Sequence, residues 1–180
     1  MPKVALVIAF KNFRDEEFSH TQTELLKAGM EVIPVSNRSG LAQGSEGGEV
    51  EITHSVADLD LADYEMLVLI GGRGALKYLD NSAVYRLLRE AIRQKKIVGA
   101  ICIAPLILAR AGILEGKKAT VWSSPLSQQS VRELESLGVH YLQEPVVEDG
   151  LLITANGPSA AKLFGQRLAK VLTIQKEKLN

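Results

Sequence analysis

Cysteine is almost absent from this chain: Cys102 is the single one in 180 residues. A lone thiol cannot close an intramolecular disulfide or supply a thiolate-rich metal site, so whatever chemistry Cys102 performs starts from a free thiol. Histidine is scarce as well. His20, His54 and His140 are scattered without metal-ligand spacing, and neither a metal nor another cofactor is expected. An excess of charge of either sign is also lacking, since Lys plus Arg and Asp plus Glu number 21 each. That balance removes the electrostatic motive for binding nucleic acid or an anionic membrane and points to a small or neutral partner. No apolar run approaches the length of a membrane span. Met1-Pro2-Lys3 passes straight into Val4-Ala5-Leu6-Val7-Ile8 without a signal-peptide cleavage pattern, so a cytoplasmic location is expected. Repeats, linkers and low-complexity tracts are missing too. Residues 1–180 are therefore expected to form a single domain, with a frayed tail from about 175 to 180.

Apolar residues make up 46% of the chain, enough for a core at this length. Short β-branched runs alternate with amphipathic stretches, the pattern of βαβ units feeding a mostly parallel sheet in an α/β fold. Strands are predicted at Lys3–Phe10, Met30–Val35, Tyr64–Ile70, Lys96–Ile101, Lys118–Trp122, Val139–Leu142, Val146–Val147 and Leu151–Thr154. Helices are predicted from about Glu16 to an Ala28-Gly29 stop, at Ser82–Gln94, Ala104–Ala111, near Ser127–Leu137, and at Ser159–Gln175. Residues 37–48, rich in Gly, Ser and Asn, are expected to be an irregular excursion before Val50-Glu51-Ile52-Thr53. Ser123-Ser124-Pro125 is expected to start the helix that follows.

The most informative segment runs from Lys96 to Leu108. A buried strand passes directly into a helix with Cys102 at the corner, flanked by Ala100 two residues before and Ala104 two after, with Pro105 in the first helical turn. Small residues at plus and minus two are the steric requirement of a nucleophile elbow, because the strained turn leaves no room for larger ones. At a helix start, the thiol pKa is expected to fall below its ordinary value. The other reading of a lone cysteine is simple core packing. An α/β-hydrolase needs an acid and then a histidine after the nucleophile, yet only His140 follows Cys102 and no Asp lies between them. A hydrolytic amidotransferase would need a later His-x-Glu, which His140-Tyr141-Leu142 does not supply. The activating group must then come from upstream. Phe13-Arg14-Asp15-Glu16-Glu17-Phe18 stands where the first strand meets the first helix, and the carboxyl ends of parallel strands converge on one crevice. The same convergence brings in Gly71-Gly72-Arg73-Gly74, which lacks the Gly-Lys-Ser/Thr ending of a P-loop and reads as a tight turn. First-turn acids also serve simply to complement the helix dipole, so Asp15 and Glu16 need no further role.

Ala100-Ile101-Cys102-Ile103-Ala104-Pro105 resembles the Ala-Ile-Cys-x-Gly-Pro elbow of the ThiJ/PfpI superfamily. Asp15-Glu16-Glu17-Phe18 resembles its acidic segment, Leu69-Ile70-Gly71-Gly72 its strand-ending Gly-Gly, and Val147–Pro158 its late Asp-Gly-x-x-x-Thr block. The resemblance runs in order from Val4 to about Leu172. It implies a flavodoxin-like three-layer sandwich, and it makes Glu17, rather than Glu16, the partner of the Cys102 nucleophile. It further implies an oxyanion site from the backbone N–H groups of Gly72 and Ile103, no cofactor, a homodimer, and the late Asn156-Gly157-Pro158 turn close to the site or to the dimer contact. Two positions depart from the family pattern. Ile103 stands where the peptidase-like branch has histidine, and Trp122 where the branch of the parkinsonism-associated protein has one. Trp122 is expected as pocket wall or as core filler. His20, one turn beyond Glu17, is expected to border the pocket or to lie on the solvated helix face; His54 and His140 are expected at the surface. The function that the resemblance implies is a glyoxalase III or deglycase-type cysteine enzyme acting on a small carbonyl such as methylglyoxal. A sensor or chaperone-like stress protein using an oxidisable Cys102 is the alternative, and an intracellular peptidase is disfavoured by Ile103.

Overall fold

The computed structural model describes residues 1–179. The first half of the chain forms β1 (Lys3–Val7), β2 (Lys11–Phe13), α1 (Asp15–Lys27), β3 (Glu31–Ser36), β4 (Gly40–Gly44), β5 (Glu49–Ile52), β6 (His54–Ser55) and β7 (Met66–Leu69). It continues through α2 (Ala75–Tyr78), α3 (Ser82–Arg93), β8 (Ile97–Ile101), α4 (Pro105–Arg110), β9 (Lys118–Ala119), α5 (Gln129–Ser136), β10 (His140–Tyr141), β11 (Val146–Asp149), β12 (Leu152–Ala155) and α6 (Ala161–Leu179). Seven strands make the central sheet in the order β11-β12-β8-β7-β1-β3-β6. All neighbours are parallel except β11 against β12.

Every residue of β7 and β8 is buried, as expected of strands covered on both faces, which is why they read as unbroken apolar runs. In β1 the two-residue side-chain period divides the core. Val4 and Leu6 pack with Phe18 and Leu25 of α1 and Phe164 and Leu168 of α6; Ala5 and Val7 face the opposite cluster, which holds Leu88 of α3, Ile107 of α4 and Leu134 of α5. The result is the flavodoxin-like three-layer sandwich. α3 shows the local logic: Asn81 caps it by accepting from the N–H groups of Ala83 and Val84, both at 3.1 Å, a feature worth about 1 kcal/mol, and its Val84, Leu87, Leu88 and Ala91 stripe is buried.

Four local expectations are corrected. Residues 37–48 are not irregular: β4 pairs antiparallel with β5 and parallel with β2, giving a small second sheet. The strand predicted over 118–122 is only the Lys118–Ala119 pair, hydrogen-bonded to β10, because the chain then turns toward the Cys102 corner. Ser124 exchanges backbone hydrogen bonds with Ser127 in a tight turn, which delays the helix to Gln129. The tail expected to fray from 175 continues as α6 to Leu179, with Gln175 Nε2 donating to the Lys95 carbonyl at 3.0 Å. The last residue of that expected tail, Asn180, lies outside the described residues. Among the described residues no helix is long and apolar enough to cross a membrane.

Candidate functional site

β8 ends at Ile101, and the chain reverses at Cys102 with φ of 65°, a left-handed conformation that costs a non-glycine residue on the order of 1–3 kcal/mol. Two backbone hydrogen bonds hold it there. The Cys102 N–H donates to the Ala155 carbonyl at 2.9 Å, and the Cys102 carbonyl accepts from the Trp122 N–H at 2.8 Å. Pro105 opens α4 and the flanking Ala100 and Ala104 are fully buried, so the elbow geometry inferred from the small residues is present.

Glu17 reaches the same point from the first turn of α1. Its side chain is fully buried, Oε2 accepts the Gly71 N–H at 2.9 Å, and the carboxyl faces the Cys102 thiol within hydrogen-bonding range. Among the described residues the buried Oε1 has no hydrogen-bond partner. The adjacent Glu16 is turned outward, 3.8 Å from Arg14. Two glycines make this approach possible. A Cβ on Gly71 would sit 2.7 Å from the Cys102 Cβ and 2.8 Å from Glu17 Oε2; one on Gly72, whose φ is 110°, would sit 2.5 Å from the Arg14 nitrogen.

Burial raises the Glu17 carboxyl to about 7, against the opposing pull of Cys102, the Gly71 N–H and the Arg14 charge. With Glu17 ionised, burial first and then that negative charge push the Cys102 thiol up; the Ile103 and Gly72 amides, which donate toward the sulfur, pull it down. This corrects the expectation that the helix start lowers the thiol. α4 has only six residues, and burial and the facing carboxylate raise the thiol against the pull of the two amides. The two groups titrate as a unit: the pair loses one proton near neutrality and holds the second tightly.

The thiol opens into a cavity of about 610 Å³, lined by Cys102, Glu17, Gly72 and Ile103 at its floor. Trp122, half-exposed, and Pro158 form part of its wall, so Trp122 is not core filler. His20 is not brought there. It lies exposed, one turn along α1, beside a separate shallow depression with Glu16 and Lys162, because the inward face of the helix is already taken by Glu17, Phe18 and Thr21. His54 and His140 are exposed elsewhere. Among the described residues no group of three His, Cys, Asp or Glu side chains is arranged to hold a metal.

Sequence reasoning missed the roof of the cavity. Arg14, Ser45, Glu46 and Arg73 line it, together with Leu76. The β4–β5 turn is drawn over the site by Asp15, whose two carboxylate oxygens accept the Glu46 N–H at 2.8 Å and the Gly48 N–H at 2.6 Å. Asp15 thus does more than complement a helix dipole. The adjacency of Arg14 to the acidic run, and of Arg73 to the Gly-Gly turn, was the available signal.

The profile of the DJ-1/PfpI family matches residues 2–171. An uncharacterized protein of Methanocaldococcus jannaschii is 39% identical over 171 residues, covering 94% of this chain and 82% of its own. Protein/nucleic acid deglycase 2 of Escherichia coli is 27% identical over 175 residues, covering 96% of this chain and 99% of its own. The crystal structure of a ThiJ/PfpI domain protein from Brachyspira murdochii superposes with a TM-score of 0.90 at 28% identity, over 96% of each chain. A match of this extent, in a chain whose strand-ending cysteine and buried first-helix glutamate face each other, shows that the chain belongs to the DJ-1/PfpI family.

Proposed function

We propose that this protein is a cofactor-independent cysteine enzyme of the glyoxalase or deglycase type, acting on small reactive carbonyls of the 2-oxoaldehyde class. One observation carries the reading: a buried carboxyl with its pKa near neutrality lies against a thiol at the floor of an open cavity. A general acid–base group works best when its pKa is close to the working pH. Moving the shared proton from sulfur to Glu17 gives a thiolate, which adds to the aldehyde carbon; the alkoxide takes the proton back from Glu17 and becomes a thiohemiacetal. The Gly72 and Ile103 N–H groups are the donors available to the developing negative charge. Glu17 carboxylate then removes the proton from the former aldehyde carbon and returns one to the neighbouring carbonyl carbon, while the hydroxyl proton passes from the first oxygen to the neighbouring carbonyl oxygen through the enediol. The first carbon is oxidised to a thioester and the second reduced to an alcohol. Water hydrolyses the thioester, so 2-oxoaldehyde plus water becomes a 2-hydroxy acid with no external redox partner. The relative named a deglycase supports this class of chemistry.

A second reading, oxidation of Cys102, draws on the same two amides, which are also placed to hydrogen-bond the oxygens of a sulfinate. A peptidase gains no support from the site, because Ile103 occupies the floor and the three histidines all lie away from the cavity. We also infer a homodimer from the family resemblance; light scattering is expected to give twice 19.6 kDa. The deciding assay is turnover of methylglyoxal by native protein beside Cys102→Ser. Lactate formation that vanishes in the variant is expected, and peroxide-sensitive Cys102 with no turnover in the native protein would move the assignment to the sensor.

A further inference from the structure

The overall charge is balanced, and so is the cavity lining once Glu17 is ionised, with Arg14 and Arg73 against Glu17 and Glu46. Glu17 is committed to Cys102, however, which leaves the two cations with one other lining carboxylate. Neither guanidinium is saturated. Arg14 Nε lies 3.3 Å from Glu46 Oε1 without reaching hydrogen-bond geometry, and its NH2 is 3.8 Å from Glu16. Arg73 is exposed at the rim and forms no ion pair among the described residues. Apart from Ser45, the other side chains of the lining, Leu76, Ile103, Trp122 and Pro158, are apolar and suit a short carbon chain.

Size points the same way. A three-carbon dicarbonyl has five heavy atoms, about 150 Å³ if each takes the ~30 Å³ share of a water molecule, against a cavity of about 610 Å³. Methylglyoxal alone would fill about a quarter of that volume. We infer that the preferred substrate is a 2-oxoaldehyde carrying a carboxylate at the far end of a short chain, with Arg14 and Arg73 as its specificity-determining residues. Arg14 and Arg73 outnumber the one lining carboxylate not committed to Cys102, and the planar guanidinium fork matches a carboxylate edge. The neutral partner suggested by the net charge of the chain gives way to an anionic one, because recognition is set by the local lining and not by the sum over the surface. The inference rests on the carbonyl reading only for the identity of the reacting group.

The test compares kcat/KM for 4,5-dioxopentanoate with that for 2-oxopentanal, a neutral dicarbonyl of equal chain length, in native, Arg73→Gln and Arg14→Gln proteins. Native protein is expected to favour the carboxylate by about tenfold or more, the scale of one charged hydrogen bond. Each substitution should reduce that ratio several-fold. Arg73 lies on the surface, so its variant carries little folding risk, and Arg14→Lys keeps the charge but not the fork and should fall between native and Arg14→Gln. A second readout needs no turnover: protection of Cys102 from iodoacetamide by pentanoate compared with pentanamide. Equal rates for the two dicarbonyls together with equal protection by the two pentyl compounds overturns the proposal. Protection by pentanoate that is lost in Arg73→Gln, with neither dicarbonyl converted, sustains the carboxylate pocket and instead overturns the carbonyl chemistry.

Discussion

Around Cys102 the backbone is held by parallel ladders on both sides of β8 and by bonds to Ala155 and Trp122, and the whole strand is buried. The β4–β5 hairpin above it is mostly exposed, with Leu41 47% accessible, and is moored over the site by the two oxygens of Asp15 and the looser Arg14–Glu46 pair. The floor is therefore built into the core, whereas the roof is attached to it. Chemistry at the floor should be intolerant of change, and selectivity at the roof should be adjustable at small cost to the fold.

The largest effect should come from the floor. Cys102→Ser is expected to lower 2-oxoaldehyde turnover by about 10⁴-fold or more, the scale of removing a nucleophile, with an unchanged circular dichroism spectrum. Glu17→Gln is expected to cost about 10²–10⁴ in kcat through loss of proton transfer. The same variant should gain stability at alkaline pH. Folding raises the Glu17 pKa from 4.5 to about 7, so the folded protein holds more protons than the unfolded chain between those values, and native stability falls as pH rises through that window. Glu17→Gln should therefore exceed native protein by about 3 kcal/mol at pH 8 and lose that advantage near pH 4.5, as measured by urea unfolding at the two pH values. An equal difference at both would show that the carboxyl does not titrate as described.

Next in size is the mooring. Asp15→Ala removes two acceptors from the hairpin turn and should cost about 2 kcal/mol. Amide exchange over residues 40–48 should accelerate, and KM should rise several-fold while kcat changes little. A matching fall in kcat would mean that the hairpin helps organise the floor as well. The smallest effect is expected for Glu16→Gln, within about 0.5 kcal/mol, because its ion pair with Arg14 is long and exposed. If the results for Glu16 and Glu17 were exchanged, the inward face of α1 would be misplaced by one residue.

The contrast between floor and roof also explains what could be read from the sequence. The elbow is a local steric event: Ala100, Cys102, Ala104 and Pro105 lie within six residues, and the apolar run before them allows little but a buried strand. The partnership with Glu17 is distant in sequence but follows from parallel topology and the family motif. The hairpin left no such mark. β4 carries Gly and Gln in place of a clean alternation, β5 alternates over only four residues, and the hairpin's order comes from pairing with β2 and from a carboxylate about thirty residues upstream. His20 was left between pocket rim and solvated face because helical spacing from Glu17 could not say which arc of α1 faces inward, and the thiol shift was missed because short α4 and deep burial are properties of the folded chain.

The central claim is that Cys102 and Glu17 share one proton, and the pH dependence of Cys102 alkylation by iodoacetamide tests it most directly. In native protein the rate should rise with a midpoint at about 7, where the pair loses its first proton, below the ~8.5 of an ordinary thiol. In Glu17→Gln the buried thiol must ionise alone, and the midpoint should move above the ordinary thiol value. The same midpoint in both proteins, or a native midpoint at 8.5 or higher, would contradict the shared proton.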